Sequence, residues 1–481
     1  MSRKPRDPLT SLTAGYGAPF RCGYHLCMSS SSAVPGVVSF EVARRIVDEH
    51  AAPVRAAIVE LRDVETVGLM AARGRVLAET LIADRDFPPF ARATRDGYAV
   101  RAADVERVPA RLEVVGEIKA GDSAAGFTVG DGQAVSIMTG APLPSGADAV
   151  VMVEYTASSG QSVEIQRSVT TGENFVPRGA EARARQVLVE PGIRLDHSLI
   201  AIAASIGKSR VQVFRRPRVA VLSTGDEVVE IDAVPGPAQI RNSNSYSLAA
   251  QIEESGADAV RLAIAPDERA RLRALILEGL QCDLLLLTGG VSMGKYDLVE
   301  QVLAELGAEF YFTGAKIQPG KPVVFGSCGV ESGGSHPDAA RDAALGWGTL
   351  GSGAAGSRAR MPEPHVHLPR RYFFGLPGNP VSTMVTCRLF ARTMIDALAG
   401  ARPESLVFPG ARLKTELRAK TGLTRFLPAV LSGDFAEAEV ELAAWQGSGD
   451  IAALARANCY LVVPPDRERI AAGEMVSVMM R

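Results

Sequence analysis

The feature that most constrains the fold is a series of continuous apolar runs that begins at residue 217 and alternates with amphipathic segments. RVAVLST, AVRLAIA, DLLLLT and RYFFGLP have the composition of strands that are buried on both faces of a sheet. The segments between and after them have helical periodicity: 244–255, 267–280, 297–306 and 380–399. Strands that alternate with helices predict a doubly wound, mainly parallel α/β sheet.

The regions on either side of this sheet have different patterns. Residues 39–61 place apolar side chains at helical spacing, and a short second helix is predicted at 66–73. Residues 97–178 consist of short β-type runs separated by Gly, Pro and Asp turns, and β-type runs return after residue 400.

These patterns predict a multidomain α/β plus β protein. Its parts are a discontinuous helical and β N-terminal domain (37–89 and 180–216), an inserted all-β module (90–179), an α/β domain (217–401) and a C-terminal β-barrel domain (402–481). The polar tail at 1–36 is predicted to be disordered, and the Gly-, Ala- and Ser-rich segment at 327–369 is predicted to be a flexible insertion.

Composition argues against several classes of protein. The formal net charge of −2 gives no support for a nucleic-acid binder that depends on bulk charge. The six cysteines form no C-x-x-C pair, which favours reduced thiols in the cytoplasm over a disulfide framework or a zinc site. No run approaches the roughly 18 uninterrupted apolar residues of a membrane span. His336, His365 and His367, all in the insertion, lack the partners of a metal site.

One loop resembles a phosphate-binding loop without matching it. TGGVSMGKYD at 288–297 has the G-x-x-x-x-G-K spacing of P-loop NTPases, but Tyr296 stands where Ser or Thr would bind magnesium. The loop also follows the third strand of the α/β domain, not the first. Its glycines still allow a close approach to an anion near a helix N-terminus, and Asp297 can reach a bound cation.

Other polar motifs stand at the predicted strand ends: STGDEV (223–228), IRNSNSYSL (240–248), IQPGKP (317–322) and GLPGNPVS (375–382). Turns, solvated acids or helix caps explain the first, third and fourth of these one at a time, whereas IRNSNSYSL has more polar side chains than a helix cap needs. Ligands bind beyond the carboxyl ends of the strands in open α/β sheets, and several anion-type loops meet at that edge here. Together the motifs predict a ligand with a phosphate or an oxyanion at each end.

The same motifs, in this order, resemble the pterin-binding domain of the MoeA/gephyrin E-domain family. FPPFARATRDGYAV (87–100), IMTGAPLPSGADAVVMVE (137–154) and GSGDIAALARANCYLVVP (447–464) are similar to that family's flanking domains. The resemblance covers roughly 38–481 apart from the insertion. It implies an elongated homodimer with a shared active site, in which the DGYA and TGA segments of one subunit face the pterin domain of the other.

The resemblance also implies a reaction, that of a molybdopterin molybdenumtransferase. Such an enzyme takes adenylylated molybdopterin and molybdate, cleaves the adenylate with Mg²⁺, and releases molybdenum cofactor and AMP. A pterin-adenylating protein and apo-molybdoenzymes would be its transient partners.

By position, the resemblance implies three sets of site residues. The catalytic set is Asp96, Thr139, Glu181, Glu227, Asp267 and Asp297. Glu227, Asp267 and Asp297 of that set would hold the metal. The residues that bind the pterin, its phosphates or molybdate are Ser223, Thr224, Gly225, Asn242, Asn244, Gly289, Gly290, Ser292, Gly294, Lys321, Pro377, Asn379, Pro380, Ser382 and Ser448.

The chain departs from the family pattern at several of these places. Glu181 stands where the family tends to have an aspartate, and Gln318 replaces a lysine often assigned to the oxyanion, for which Lys316 and Lys321 are candidate substitutes. These changes keep two alternatives open. One is a pterin-binding scaffold protein with weak catalysis, and the other is a relative that inserts tungstate, an oxyanion of nearly the same size and charge.

Overall fold

The structure is a computed structural model, and it describes residues 36–290, 298–329, 368–434 and 437–481. The tail predicted to be disordered lies outside the described residues, except for residue 36. Most of the predicted insertion lies outside them too, with His336, His365 and His367. No helix in the described part of the chain is long and apolar enough to cross a membrane.

The α/β region is built on a six-stranded, mainly parallel sheet, as the apolar runs predict. In spatial order its strands are Asp258–Arg261, Arg218–Ser223, Leu284–Thr288, Arg370–Leu376, Val324–Gly329 and Glu309–Phe312. The first four pair in parallel, and the last two pair antiparallel to their neighbours. The four parallel strands therefore make up one side of the sheet, and the antiparallel pair lies at the other edge.

Helices cover both faces of this sheet, so it is doubly wound. The strand Leu284–Thr288, called the leucine strand below, contributes side chains to two hydrophobic clusters, because successive residues of a strand point to opposite faces. Leu285 and Leu287 pack with the helices Arg269–Gly279 and Leu298–Glu305. Leu284 and Leu286 belong to the cluster on the other face. That face carries the remaining helical segments of the region: Ser243–Glu254, Pro380–Thr386, the π-helical Cys387–Ala391, and Arg392–Leu398.

The N-terminal region joins the α/β region through its long helix, Phe40–Leu61. The helix begins where the Ser39 hydroxyl accepts a hydrogen bond from the Val42 amide at 3.3 Å, an N-cap. Its buried face, which includes Val47 and Val54, packs into the same cluster as Arg392–Leu398. Arg44 donates to the Leu389 carbonyl of the π-helical segment and to the Thr393 hydroxyl. The side chain therefore satisfies a carbonyl in a segment where regular α-helical bonding is interrupted.

The predicted short helix at 66–73 is wrong over its first residues. The chain forms the strand Val64–Gly68 and then a single 3₁₀ turn, Leu69–Ala72. The strand pairs antiparallel with Arg210–Phe214, which is more than 140 residues later in the chain. This long-range pairing outweighs a helical preference that only local periodicity supported. The other regular elements of the region are Leu81–Ile82, Val187–Val189 and the helix His197–Ser205.

The inserted β module is all-β apart from short 3₁₀ turns, as its sequence predicts. Its six-stranded sheet has the spatial order Ala149–Met152, Gly97–Val100, Gln133–Ile137, Ala110–Ile118, Ser162–Ile165 and Thr156–Ser159. Outside this sheet, Arg92–Ala93 pairs antiparallel with Phe175–Val176.

The C-terminal region forms a closed barrel of five strands. They are Thr424–Gly433, Ala438–Leu442, Gly410–Leu413, Met475–Met480 and Cys459–Val463, and the last pairs with the first to close the ring. The short helix Ile451–Arg456 lies between two of them in the sequence. The barrel confirms the prediction for this region, whereas the domain boundaries stay a prediction.

The leucine strand provides a test of the core. Leu286→Ala, at a fully buried position in the central strand, is expected to lower the free energy of unfolding by about 2–5 kcal/mol, because it leaves a cavity between sheet and helices. Leu277→Ala, on an exposed position of the helix Arg269–Gly279, is the control and should change it by less than about 0.5 kcal/mol. Urea denaturation followed by circular dichroism measures both. Equal losses would contradict the assignment of Leu286 to the core.

Candidate functional site

A cavity of about 380 Å³ lies at the carboxyl edge of the α/β sheet. It opens beyond the ends of three adjacent parallel strands, which finish at Ser223, Thr288 and Leu376. The ladder pairs Ser223 with Thr288 and Thr288 with Leu376, so the following loops start side by side. The lining residues are Ser223, Thr224, Glu227, Val228, Ile240, Arg241, Asn242, Ser243, Asn244, Thr288, Gly289, Gly290, Pro322, Pro377, Gly378, Asn379 and Pro380.

The cavity stands where the order of the strands reverses. After Ser223 the chain passes through the helix Ser243–Glu254 to the neighbouring strand on one side, Asp258–Arg261. It then crosses through the helix Arg269–Gly279 to Leu284–Thr288 on the other side. Loops that leave two adjacent strands in opposite directions open a crevice between them, and ligands of open α/β sheets bind in such crevices.

Two asparagines predicted to bind ligand hold the loops of the cavity together. Asn242 Oδ1 accepts from the Ser223 hydroxyl at 2.9 Å and from the Ser245 amide at 3.2 Å, so Asn242 caps the following helix. Asn244 Nδ2 donates to Thr288 Oγ1 at 3.0 Å and to the Gly378 carbonyl at 2.6 Å. The pair therefore links the loops that follow all three strands.

Gly289 and Gly290 form a corner that only glycine can build. Their φ angles are +88° and +63°. A Cβ on Gly289 would lie 2.5 Å from the Thr224 carbonyl oxygen, and one on Gly290 would lie 2.6 Å from Thr224 Oγ1. Real Cβ atoms do not approach so closely, so the backbone at this corner stays uncovered by side chains and open to a ligand.

Among the described residues, two buried polar atoms around the cavity have no hydrogen-bond partner. They are Thr224 Oγ1 and Asn244 Oδ1. Such an atom costs about 1–3 kcal/mol unless a ligand or a water molecule meets it. The Asn244 amide cannot be reversed to cure this, because its oxygen would then face the Gly378 carbonyl. Both atoms can therefore bond to a polar ligand in the cavity.

Three acids cluster beside the cavity. The Asp267 amide donates to Asp226 Oδ1 at 3.1 Å, and Glu227 lines the cavity. Burial, followed by the nearby charges of Asp226 and Glu227, raises the pKa of Asp267 above its ordinary value. Carboxylates that repel one another in this way form a donor set suited to a hard divalent cation.

The predicted metal set is only partly visible. Glu227 and Asp267 come together, but Asp297 lies outside the described residues, as do Ser292, Gly294 and Lys295. Within the described ranges, no group of three His, Cys, Asp or Glu residues has the arrangement of a metal site. The two acids fit a cation, and a further ligand would have to come from Asp297, from the substrate or from water.

The GLPGNPVS motif connects the cavity to the C-terminal barrel. Pro377 and Asn379 line the cavity, and Pro380 begins the helix Pro380–Thr386. Asn379 Nδ2 donates to Ser448 Oγ at 2.9 Å, and the Val381 amide donates to the Ser448 carbonyl at 3.1 Å. Ser448 therefore lies against Asn379, a lining residue, but is not itself among the residues that line the cavity.

Other predicted ligand residues are placed differently. Ser382 is buried in its helix, where its carbonyl accepts from the Thr386 hydroxyl, and it does not line the cavity. Gly225 has a φ of +127° and lies in the turn before Glu227. Lys321 is exposed beside Pro322, a lining residue, and only its carbonyl has a described partner, the Ala315 amide.

The residues predicted from the β module form a separate group. Asp96 Oδ1 accepts from the Thr139 amide at 2.7 Å and from the Thr139 hydroxyl at 2.8 Å, which lowers the pKa of Asp96. Glu181 forms an exposed ion pair with Arg92 at 2.8 Å. The residues that line the cavity of the same chain include none of Asp96, Thr139 and Glu181.

Sequence reasoning missed seven of the lining residues: Val228, Ile240, Arg241, Ser243, Thr288, Pro322 and Gly378. Thr288 is the polar end of an apolar run, and Gly378 contributes only its backbone, so neither has a strong signal. Arg241 lies within the IRNSN motif, but only the asparagines of that motif, Asn242 and Asn244, were predicted to bind the ligand.

Three family models match successive parts of the chain. They are the MoeA N-terminal region (domain I and II) at 38–207, a probable molybdopterin binding domain at 220–397 and the MoeA C-terminal region (domain IV) at 410–480. Together they span the regions described above as the N-terminal region with its β module, the α/β region and the barrel.

Named relatives and solved structures agree with these matches. A molybdopterin molybdenumtransferase of Nostoc sp. is 34% identical over 87% of this chain and 89% of its own length. One of Bacillus subtilis is 30% identical over 87% of this chain and 90% of its own length. The crystal structure of a molybdopterin biosynthesis MoeA protein from Pyrococcus horikoshii OT3 is similar with a TM-score of 0.67 and 25% identity, and covers 92% of this chain and 100% of that one.

The acid cluster leads to a prediction about stability and pH. Because the pKa of Asp267 is raised in the folded protein, the stability it contributes is full below about pH 3.8 and is lost as the pH rises through the folded value. Asp267→Asn is therefore expected to raise the free energy of unfolding at pH 7 by less than about 1 kcal/mol, since solvent screens much of the repulsion. Thermal denaturation at pH 7 and at pH 4 measures the difference, which should shrink at the lower pH. Asp232→Asn, at an exposed position, is the control, and a pH-independent gain would contradict the explanation.

Proposed function

The chain belongs to the MoeA family, and from that premise we propose that it acts as a molybdopterin molybdenumtransferase at the strand-edge cavity. It is thereby a transferase of molybdenum cofactor biosynthesis. The observation that carries the assignment to this cavity is the convergence of three family-type loops at one edge of the sheet. They bring the Gly289–Gly290 corner, the Glu227 carboxylate and Asn379 around a single space.

We propose that the cavity binds adenylylated molybdopterin by its phosphates. The backbone at Gly289 and Gly290 is uncovered, and Thr224 has a hydroxyl without a partner, so each can donate to a phosphate oxygen. Asn242 and Asn244 keep these groups in position by linking the three loops. Asn379, which donates a hydrogen bond to Ser448, forms the side of the cavity toward the barrel, where the pterin and molybdate would lie.

We further propose that the reaction depends on Mg²⁺ and releases AMP. Glu227 and Asp267, with Asp297, would hold the cation. The supporting observation is the raised pKa of Asp267, which burial and then the nearby charges of Asp226 and Glu227 cause. A bound cation supplies positive charge that offsets the charge developing as a phosphoanhydride breaks. The acids would hold that charge near the adenylate.

The β-module residues support a proposal about assembly. Asp96 and Thr139 are joined to each other but do not line the cavity of their own chain. We propose a homodimer in which they, with Glu181, complete the cavity of the second copy. We also propose a cytoplasmic location, with a pterin-adenylating protein and apo-molybdoenzymes as transient partners.

One observation keeps the weakly catalytic pterin-binding scaffold as a second candidate. Gln318 replaces the expected lysine, lies exposed on a short strand beside the barrel and does not line the cavity. A scaffold would bind the pterin but would release no AMP. A tungstate-inserting enzyme would release AMP faster with tungstate than with molybdate, so a comparison of the two oxyanions separates it from the proposed activity.

The test is to incubate the purified protein with adenylylated molybdopterin, Mg²⁺ and molybdate, and to measure AMP release and the activation of an apo-molybdoenzyme. Glu227→Gln is expected to lower AMP release by about 10²–10³-fold while pterin binding is retained, because it removes a charge that acts mainly in the transition state. Glu230→Gln, on the same loop but outside the cavity, is the control and should retain activity. Release of no AMP by the unaltered protein would refute the proposed reaction.

A further inference from the structure

Arg241 lies at the cavity in a position that backbone bonds determine. It belongs to a two-residue parallel ladder in which Val228 pairs with Ile240 and Val229 pairs with Arg241. The Ile240 amide donates to the Glu227 carbonyl, and the Asn242 amide donates to the Val229 carbonyl, each at 2.8 Å. Both neighbours of Arg241 in the sequence are thus tied to the loop that carries Glu227, and its side chain starts from a defined point on the cavity wall.

Within the described residues, the Arg241 side chain makes one hydrogen bond and has several further donors. Its Nε donates to the Ala233 carbonyl at 3.2 Å, which holds the guanidinium plane against the loop 230–239. A guanidinium has five N–H donors, so the two terminal nitrogens retain four. No ion pair joins Arg241 to a carboxylate within the described ranges.

Arg241 is also the one cation among the described residues that line the cavity, and Glu227 is the one anion. The lysine positions expected to bind an anion do not line it. Gln318 pairs with Arg425 in the barrel sheet, and Lys316 and Lys321 are exposed outside the lining. A phosphate in this cavity would therefore find its fixed positive charge at Arg241, whose planar fork matches two phosphate oxygens.

We propose that Arg241 is a specificity-determining residue that binds a phosphate group of the substrate. The inference rests on the proposed function for the identity of that substrate, but not for the chemistry of the contact. The competing explanation is purely structural, because the bond to Ala233 would by itself secure the loop 230–239. The two explanations differ in what they require: a phosphate contact needs the charge, whereas the loop contact needs only a donor.

The experiment uses AMP as the phosphate-bearing probe and the full chain as the protein. Isothermal titration gives the dissociation constant of AMP for the unaltered protein and for Arg241→Gln, Arg241→Lys and the control Arg273→Gln. Arg273 is exposed on the helix Arg269–Gly279, away from the cavity. Each titration is run at low and at raised salt, and melting temperatures are measured in parallel.

A phosphate contact predicts a graded result. Arg241→Gln retains a donor for the loop but loses the charge, and is expected to weaken AMP binding by about 10-fold or more and to reduce its dependence on salt. Arg241→Lys retains the charge without the fork, and is expected to weaken binding by less. In the molybdenum-insertion assay the KM for the adenylylated pterin should rise more than kcat falls. Arg273→Gln should match the unaltered protein throughout.

The opposite pattern would overturn the proposal. If Arg241→Gln binds AMP as the unaltered protein does, with the same dependence on salt, the side chain has only the structural role. If that variant does not fold, Arg241→Lys decides the question, and unchanged AMP binding by it overturns the proposal. An active unaltered protein whose AMP binding is indifferent to Arg241 would refute this inference alone. An inactive protein with Arg241-dependent AMP binding would refute the proposed reaction alone.

Discussion

The site depends on the register of three parallel strands, which aligns Ser223, Thr288 and Leu376 at one edge of the sheet. Because these strands are apolar on both faces, alternation of side chains cannot by itself select one register over another. Side-chain contacts at the two ends of the strands favour the observed register. Asn244 donates to Thr288 Oγ1 and to the Gly378 carbonyl at the carboxyl edge, and the Arg218 amide donates to Asp283 Oδ2 at the other end.

The groups around the cavity have different roles. Asn242 through its side-chain oxygen and Asn244 through its side-chain nitrogen bond to the protein itself, and by doing so they hold the loops in place. Gly289 and Gly290 contribute exposed backbone, and Glu227 and Arg241 contribute opposite charges. A cavity that is preorganised in this way spends little binding energy on ordering its own loops, so more remains to position the ligand.

The flanking regions are attached to the α/β region close to this edge. The barrel contacts Asn379, a lining residue, through Ser448, and it is extended by the short strand Ile317–Gln318, which pairs with Thr424 and Arg425. On the other side, Val37–Val38 pairs with Gly314–Ala315, directly before that short strand. Contacts from both ends of the described chain therefore meet on the loop that leads to Pro322, a lining residue.

The sequence by itself determined the elements of the sheet, its mainly parallel order, the barrel and the loops that form the site, because hydrophobic period and turn residues are local properties. Tertiary structure decided which polar groups meet. Asp96 and Thr139 are 43 residues apart, and Asn379 and Ser448 are 69 apart. The sequence around each residue does not indicate which residue it bonds to. Residues 66–68 were predicted to be helical but belong to the strand Val64–Gly68. Local pattern could not reveal this, because the partner strand, Arg210–Phe214, is far away in the sequence. Likewise, how helices and loops pack against the sheet decides that Ser382 is buried in the core. It also decides that Arg241 is the cation among the described lining residues.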